Sequence, residues 1–419
     1  LSQNLFINSF FVARQPVFDV EQNIWGYELL FRNSGAAGTA EIDDEDEATS
    51  QVIADGFGLV QEDLHEKQKI LINFPRNMLL SKASDLLPPE TCIVEILENV
   101  EPDEDVLTAL KHIRDDGFQL ALDDFVGQPG YEQIIDLADI VKVDCLDVPK
   151  EKLEKVVRDL RSRGVRTLLA EKVEDKLSFR QCLELGFDLF QGFFFSKPEI
   201  MPGEKLSSAQ FSRLELLREI SNPEFDLKKL TNAINSDVSI SYRLLRFINS
   251  ASFGIANKIT SISQAVNLLG QKKISGWLRV ILLSDMGSTS TGNELAFLSI
   301  KRAKFLELLS RRNELAPHPP ETMFLLGLFS LLDALLNKPI NELLDKLPLA
   351  DEVSKAICCN IGDASQWLKL VVCLEKADWG TVSEIIEEQG LNSYAVSLNH
   401  HAAMQWAHEA TVLAHSSPE

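Results

Sequence analysis

Between residues 24 and 190 the chain alternates short apolar, β-rich runs with helix-like stretches. The runs are Ile24 to Phe31, Lys69 to Phe74, Ile93 to Ile96, Gln119 to Asp123, Ile140 to Val143, Thr167 to Ala170 and Asp188 to Phe190. Between them lie stretches of helical period such as Val106 to Arg114 and Lys152 to Arg163, the latter stopped by Gly164. The apolar start that includes Phe10 to Val12 reads as a further strand. Strands alternating with helices build βαβ units and a parallel sheet, and seven or eight such units are expected to close into a (β/α)8, TIM-like barrel.

Almost every run carries a polar residue within it or just beyond it: Glu28, Asn73, Glu95, Asp123 with Asp124, Lys142, Glu171 and Gln191. Taken singly, several of these would only start loops or cap helices. Their recurrence at successive strands points instead to the C-terminal mouth of a barrel, where the active sites of such folds lie. Carboxylates and an amide are hard oxygen ligands, suited to Mg2+ or Mn2+ rather than zinc. A cation so held lowers the pKa of its water and offsets charge on phosphate oxygens, which is the chemistry of phosphoester hydrolysis. Lys142 could stabilise that charge or orient the water, and Arg32 stands four residues past Glu28, where its guanidinium could fork onto a phosphate.

At the centre of the series stands Leu120 to Val126, L-A-L-D-D-F-V. Side chains alternate along a strand, so adjacent aspartates can serve one site only if the chain turns there. One is expected to look into a pocket and the other into its rim. Two neighbouring carboxylates also repel, so they require a cation, a lysine or water nearby.

Size and charge narrow the class further. The chain has 419 residues, enough for two domains. Acidic residues outnumber basic ones 63 to 41, and the net charge of -22 opposes binding to a nucleic-acid polymer. The six cysteines form no C-x-x-C pair, so neither a zinc ribbon nor a disulfide framework is indicated and a reducing cytoplasm fits best. The first residues lack a cationic n-region, and Met323 to Leu336 is interrupted by Asp333 and too short to span a bilayer, so no membrane element is expected. The acidic run Glu41 to Glu47 lacks the central glycine and final glutamate of a calcium loop and reads as a solvated loop before a helix.

Ser196 to Ser207 is rich in proline, glycine and charge and reads as a linker, giving expected domains of 1–200 and 201–419. Beyond it the period is helical throughout. Apolar faces are formed by Phe211, Leu214 and Leu217; by Leu227, Leu230 and Ile234; and by Ile240, Leu244, Leu245 and Ile248. Further helices are expected at Ser263 to Leu269, Lys273 to Leu283, Glu294 to Glu314, Glu321 to Leu336 and Ser393 to His415. His401, His408 and His415 recur every seven residues, roughly 10 Å along a helix, too far apart for two of them to share one metal. Met404 and Trp406 mark a packing face instead.

Several motifs, in order, resemble the EAL-domain cyclic di-GMP phosphodiesterases over roughly residues 10 to 200. They are Gln15-Pro16, Gly26 to Arg32 (G-Y-E-L-L-F-R), Ile72 to Phe74 (I-N-F), Val94 to Glu98 (V-E-I-L-E), Leu122 to Phe125 (L-D-D-F), Val141 to Asp144 (V-K-V-D), Ala170 to Glu174 (A-E-K-V-E) and Gln191 to Pro198 (Q-G-F-F-F-S-K-P). The resemblance implies metal ligation by Glu28, Asn73, Glu95 and Asp123, with Asp124 and Glu171 near a second metal. It further implies that Lys142 assists the water, that Glu174 supports the phosphate-side loop, and that Arg32 and Gln191 contact cyclic di-GMP. The second half resembles the HDOD family through Ser236 to Ser239 (S-D-V-S), Arg243 to Gly254 (R-L-L-R-F-I-N-S-A-S-F-G) and Ile262 to Gly270 (I-S-Q-A-V-N-L-L-G). That likeness implies a helical domain serving a protein partner. No His-Asp dipeptide occurs in this half, and Phe329 to Asp333 reads F-S-L-L-D where a catalytic relative would place one.

Two departures stand out. Phe125 to Glu132 reads F-V-G-Q-P-G-Y-E in place of the usual Gly and Thr-Gly-Tyr-Ser-type loop, and Lys172 replaces a glycine. An ammonium at the barrel mouth could neutralise carboxylates and occupy metal space, or it could point outward and pair on the surface. The sequence therefore favours a degenerate barrel acting as a cyclic di-GMP receptor or scaffold coupled to the HDOD domain. The alternative is an active metal-dependent phosphodiesterase that opens cyclic di-GMP to the linear dinucleotide.

Overall fold

The computed structural model describes residues 10–33, 68–81, 83–146, 148–197, 208–222, 234, 240, 243–245, 249, 259–287, 289–311, 313 and 316–415. The acidic run Glu41 to Glu47, the linker from Pro198 on, and Leu227, Leu230, Ile248, Ser250 and Gly254 lie outside them. Eight strands close into one barrel in sequence order: β1 (Phe10–Phe18), β2 (Ile24–Asn33), β3 (Lys69–Phe74), β4 (Cys92–Ile96), β5 (Gln119–Phe125), β6 (Ile140–Asp144), β7 (Thr167–Glu171) and β8 (Leu189–Gln191). Strands β2 to β8 pair in parallel, whereas β1 is antiparallel to both its neighbours. The cause is local. Only five residues, 19–23, separate β1 from β2, and Asp19 folds them into a turn by accepting from the backbone N–H of Asn23 at 2.8 Å. A parallel crossover needs a dozen residues or more, so so short a link makes a hairpin.

The helices of the barrel region are α1 (Arg76–Leu80), α2 (Glu104–Asp115), α3 (Glu132–Ile135), α4 (Lys150–Ser162) and α5 (Lys176–Leu185). Asp103 caps α2 by accepting from Val106 N–H, and Asp175 caps α5 by accepting from Ser178 N–H. Inside the barrel, Val17, Leu71, Ile93, Ala121, Ile140, Leu169 and Leu189 form one buried apolar layer, with Trp25 packed against it. Seven strands each contribute one side chain to this plug.

Among the described residues, the remaining helices are α6 (Ser208–Ser221), α7 (Ile262–Ser284), α8 (Ser290–Arg311), α9 (Pro320–Phe329), α10 (Leu332–Leu336), α11 (Ile340–Leu344), α12 (Asp351–Cys359), α13 (Asp363–Glu375), α14 (Trp379–Glu388) and α15 (Ser393–His415). The two helices expected on either side of Gly270 meet there at φ 73, a left-handed conformation that glycine adopts without a Cβ clash, and continue as α7. The single helix expected over Glu321 to Leu336 is instead α9 and α10. Ser330 ends α9 by donating its hydroxyl to Gly327 O at 2.7 Å, and Leu331 leaves helical geometry at φ -126. Asn249 joins its turn to a distant strand of chain by exchanging hydrogen bonds with Ile259 at 2.7 and 2.8 Å. Arg243 forks onto Asp285 at 2.7 and 2.9 Å.

The chain divides into two compact units, Leu1–Lys197 with Val372–Leu398, and Pro198–Val371 with Asn399–Glu419. The segment 372–398, which follows the expected domain boundary by some way in sequence, thus belongs to the unit that holds the barrel. Among the described residues no single helix is long and apolar enough to cross a membrane; the bent pair α12 and α13 passes that test by length and composition only.

In the second unit Met404 is buried and Trp406 receives the Lys304 ammonium over its ring at 4.7 Å, so this face of α15 is used for packing. His400 is buried against the edge of Phe305, with ring centroids 5.8 Å apart. Burial, then the nearby charges of Lys301 and His401, pull its pKa down to about 3, so the imidazole is neutral when folded. An unfolded histidine titrates near 6.5, so the unfolded chain binds the extra proton between these values. Stability contributed by the neutral ring is present above about pH 6.5 and lost as pH falls toward 3, at roughly 1.4 kcal/mol per pKa unit. Chemical denaturation across pH 7 to 4 is expected to show this slope at the helical unit, and His400→Phe to flatten it.

Candidate functional site at the barrel mouth

The site follows from the period of a strand. Two residues beyond the apolar plug, on the same inward face, lie Asn73 after Leu71, Glu95 after Ile93, Asp123 after Ala121, Lys142 after Ile140, Glu171 after Leu169 and Gln191 after Leu189. Strand β1 runs the other way, so its inward residue at this level precedes the plug: Gln15, two before Val17. Glu28 of β2 pairs across with Gln15 and with Leu71. The series of polar residues expected from the sequence is therefore one layer, stacked on an apolar floor.

Lys142 holds the centre. Its side chain is 1% exposed, and its ammonium pairs with Glu28 Oε2 at 3.0 Å, Asp123 Oδ1 at 2.8 Å, Glu171 Oε1 at 2.9 Å and Glu95 Oε1. Burial alone would push the lysine pKa down, but the carboxylates of Asp123, Glu171, Glu28 and Glu95 outweigh it and hold it well above the usual value. Burial, with Glu28 beside it, drives the Glu95 carboxyl far up. Burial likewise lifts Glu171 to about 8, against the pull of Lys142. Asp123 is also raised by burial, yet the Lys142 charge and a hydrogen bond with Glu95 bring it below the ordinary aspartate value. The cluster thus keeps its net charge low by sharing one ammonium and by disfavouring ionisation at Glu95.

Around this core, Gln191 Nε2 donates to Glu28 Oε2 at 2.6 Å and to Gln15 Oε1 at 3.0 Å, and Asn73 Nδ2 donates to Glu28 Oε1 at 3.2 Å. Glu28 is therefore gripped by an amide on each oxygen. Gly192 follows Gln191 at φ 142, and a Cβ there would lie 2.2 Å from Val173 O, so the loops after β7 and β8 approach as only glycine permits.

The two aspartates separate as the strand turns. Leu122 pairs with Val141 and Phe125 with Val143, so Asp123 and Asp124 together oppose the single residue Lys142 in a β-bulge. Asp124 sits at φ 45, in the left-handed region, which sends its carboxylate to the rim while Asp123 stays inward. There it meets Lys172, also left-handed at φ 54. The Lys172 ammonium bonds Asp124 Oδ1 at 2.9 Å and Oδ2 at 3.3 Å, and Asp144 Oδ2 at 2.7 Å. An L-residue in that conformation costs about 1–2 kcal/mol, which two charge-assisted contacts offset. Against partial burial, the hydrogen bonds that the Lys172 ammonium donates to Asp144 and Asp124 hold its pKa above the usual value. Lys172 therefore lies among carboxylates of the mouth while remaining half exposed.

The other expected residues stand further out. Arg32 of β2 pairs through its backbone with Phe11 of β1, and its side chain lies outside the described residues. Glu174 lies on the rim and accepts an ion pair from Lys376 at 3.3 Å. The altered loop closes when Gln128 accepts from Val126 N–H at 2.8 Å and when the Tyr131 hydroxyl donates to Glu98 O. Sequence reasoning did not single out Gln15 as a site residue, although the Gln-Pro pair was the available signal, nor Asp144, nor Lys376.

One buried oxygen of Glu95 and one of Glu171 lack a hydrogen-bond partner, and the groups converging on Lys142 are hard carboxylate oxygens. Oxygens of this type suit a divalent cation. The Lys142 ammonium, however, fills the point where Glu28, Glu95 and Asp123 converge, and among the described residues no group of three or more acids, histidines or cysteines is arranged to hold a metal ion. A cation at Glu28, Asn73, Glu95 and Asp123 would therefore require that ammonium to withdraw. A second cation at Asp124 would have to displace the Lys172 ammonium from that carboxylate.

The mouth of this closed barrel is thus floored with apolar side chains and ringed with acids, amides and a buried lysine. The chain belongs to the EAL–HDOD family. The EAL domain matches residues 1–198 and the HDOD domain residues 208–337. Over 401 residues the chain is 36% identical to a Vibrio cholerae protein named cyclic di-GMP phosphodiesterase CdgJ, covering 95% of this chain and 92% of that one. It is 34% identical over 410 residues to the uncharacterized Bacillus subtilis protein YuxH, covering 95% of this chain and 98% of YuxH. Among solved structures, an EAL domain protein of Listeria monocytogenes is 25% identical over 45% of this chain and 88% of that chain, with a TM-score of 0.37.

Removing the shared ammonium should expose how much the cluster depends on it. Lys142→Met is expected to lower stability by about 3–5 kcal/mol, because it strands buried carboxylates. Lys172→Met, at a half-exposed pair, is expected to change it by about 1 kcal/mol or less. Urea denaturation of the two variants at neutral pH measures the contrast.

Proposed function

We propose that the barrel mouth binds cyclic di-GMP and that the protein is a cyclic di-GMP signalling protein whose barrel serves as a receptor rather than an efficient phosphodiesterase. Membership of the EAL–HDOD family and the name of the Vibrio cholerae relative support the ligand. The observation that carries the receptor reading is the Lys172 ammonium held between Asp124 and Asp144. In this reading Lys172 substitutes for a second cation and neutralises the rim without activating water.

A Mg2+ or Mn2+ ion held by Glu28, Asn73, Glu95 and Asp123 would supply charge neutralisation and an acidified water when bound. The chain's own residues do the rest. Gln191 and Asn73 fix the two oxygens of Glu28, and Lys142 keeps Glu95, Asp123 and Glu171 converged. Arg32 and Gln191 are the proposed contacts to the dinucleotide, and Lys172 offers its phosphates a positive charge at the rim. Lys142 and Glu171 are the groups placed to handle a proton if hydrolysis occurs. The helical domain carries a protein interaction, and the protein acts in the cytoplasm.

The second reading, an active phosphodiesterase, is favoured by the full set of Glu28, Asn73, Glu95, Asp123, Lys142 and Glu171 within one cluster. Lys172→Gly separates the two, because glycine adopts φ 54 freely and the loop keeps its shape while the ammonium is lost. The receptor reading expects wild-type protein to bind cyclic di-GMP with little turnover, and Lys172→Gly to gain hydrolysis by tenfold or more with Mn2+ or Mg2+, about 1.4 kcal/mol or more off the activation barrier. Wild-type turnover equal to that of Lys172→Gly, and abolished by Glu28→Ala, would establish the phosphodiesterase instead.

A further inference from the structure

The segment that joins the barrel's compact unit from far along the sequence, 372–398, lies outside both family matches, 1–198 and 208–337. It meets the barrel through a turn built to project one lysine. Helix α13 ends at Glu375, Ala377 takes a left-handed φ of 53, Asp378 N–H returns to Cys373 O at 2.9 Å, and the Asp378 side chain caps α14 by accepting from Thr381 N–H at 3.2 Å. The turn is thereby fixed at both ends.

Three residues of this turn, Lys376, Trp379 and Glu375, touch the barrel, the first two at its rim. Lys376 Nζ pairs with Glu174 Oε2 at 3.3 Å and lies 4.8 Å from the centroid of the Phe193 ring. Phe193 stands two residues past Gln191, and Glu174 stands three past Glu171. Trp379 stacks on Phe11 of β1 with ring centroids 6.0 Å apart. The third contact reaches inward: Glu375 O accepts from Gln15 Nε2 at 3.5 Å, Gln15 Oε1 accepts from Gln191 Nε2 at 3.0 Å, and that same Nε2 donates to Glu28 Oε2 at 2.6 Å. Glu375 is itself buried. A continuous polar chain therefore runs from the turn to the carboxylate cluster.

We propose that residues 375–379 form a clasp that completes the rim of the nucleotide site and positions Glu28 through Gln15 and Gln191, so that clasp closure and nucleotide binding favour each other. The inference rests on the reading of the mouth as a cyclic di-GMP site. Its sign comes from charge. Glu174 is an anion on a rim that must accept two phosphates, and Lys376 neutralises it; without Lys376 the uncompensated carboxylate repels the ligand. Linkage then requires the reciprocal effect, with bound nucleotide tightening the clasp by the same factor. Lys376 acts as a positioning residue, through Glu174 and the turn that holds Gln15.

The test uses the full chain as wild type, Lys376→Met and Lys376→Arg. Calorimetry measures cyclic di-GMP affinity with Mn2+, and hydrogen exchange is followed in α14 with and without nucleotide. The expected result is about 5–10-fold weaker binding in Lys376→Met, within the usual range of coupling between sites, with recovery in Lys376→Arg. Nucleotide should slow α14 exchange in the wild type and do so less in Lys376→Met. Equal affinities in wild type and Lys376→Met, or exchange in α14 that ignores the nucleotide, would overturn the proposal. If the wild type binds no cyclic di-GMP, the reading of the mouth falls, and the clasp is decided without ligand. Faster α14 exchange in Lys376→Met, restored by Lys376→Arg, then supports it, and unchanged exchange overturns it.

Discussion

One ammonium, that of Lys142, makes the barrel mouth possible. Four carboxylates from four strands converge on it at the floor of the site, in a place too dry for water to screen them. Such a group is unfavourable to bury in isolation, and so is each acid. Together they satisfy one another, with Glu95 leaning toward its protonated form. This cluster replaces, at one level of the barrel, the hydrophobic cohesion that the plug supplies one level below. Stability and the proposed function therefore draw on the same residues, and the fold is anchored where the chemistry would occur.

Much of this was legible because strand geometry is strictly periodic. An apolar residue facing inward guarantees that the residue two positions on faces inward too, so Ile93 announces Glu95 and Ile140 announces Lys142. The split roles of Asp123 and Asp124 were also readable in outline, since adjacent carboxylates cannot share a face of an unbroken strand. What the sequence withheld were departures from that period. The bulge at Asp123 and Asp124 adds one residue to one strand, and the hairpin of β1 and β2 reverses Gln15, which takes it out of the expected order of strand ends. The contact of Gln15 with Glu375 spans 360 positions of sequence, and no local pattern encodes such a distance.

Lys172 illustrates how a departure from family pattern can be physically consistent rather than a defect. Its backbone adopts a glycine-like conformation, and its side chain finds two carboxylates within bonding distance. The conformational penalty and the ion pairs belong together: the left-handed turn is what aims the ammonium across the mouth at Asp124 and Asp144. The altered loop after Asp124 sits beside it and is closed by its own contacts through Gln128 and Tyr131. The two departures noted in the sequence are thus neighbours in space, on one side of the rim.

A positive charge delivered by a side chain differs from one delivered by a dissolved ion in a way that reaches beyond this rim. It has no dissociation constant, so chelators do not strip it and scarcity of metal does not empty it. A mouth partly neutralised by Lys172 would depend less on the supply of divalent ions than one that had to draw all of its positive charge from solution.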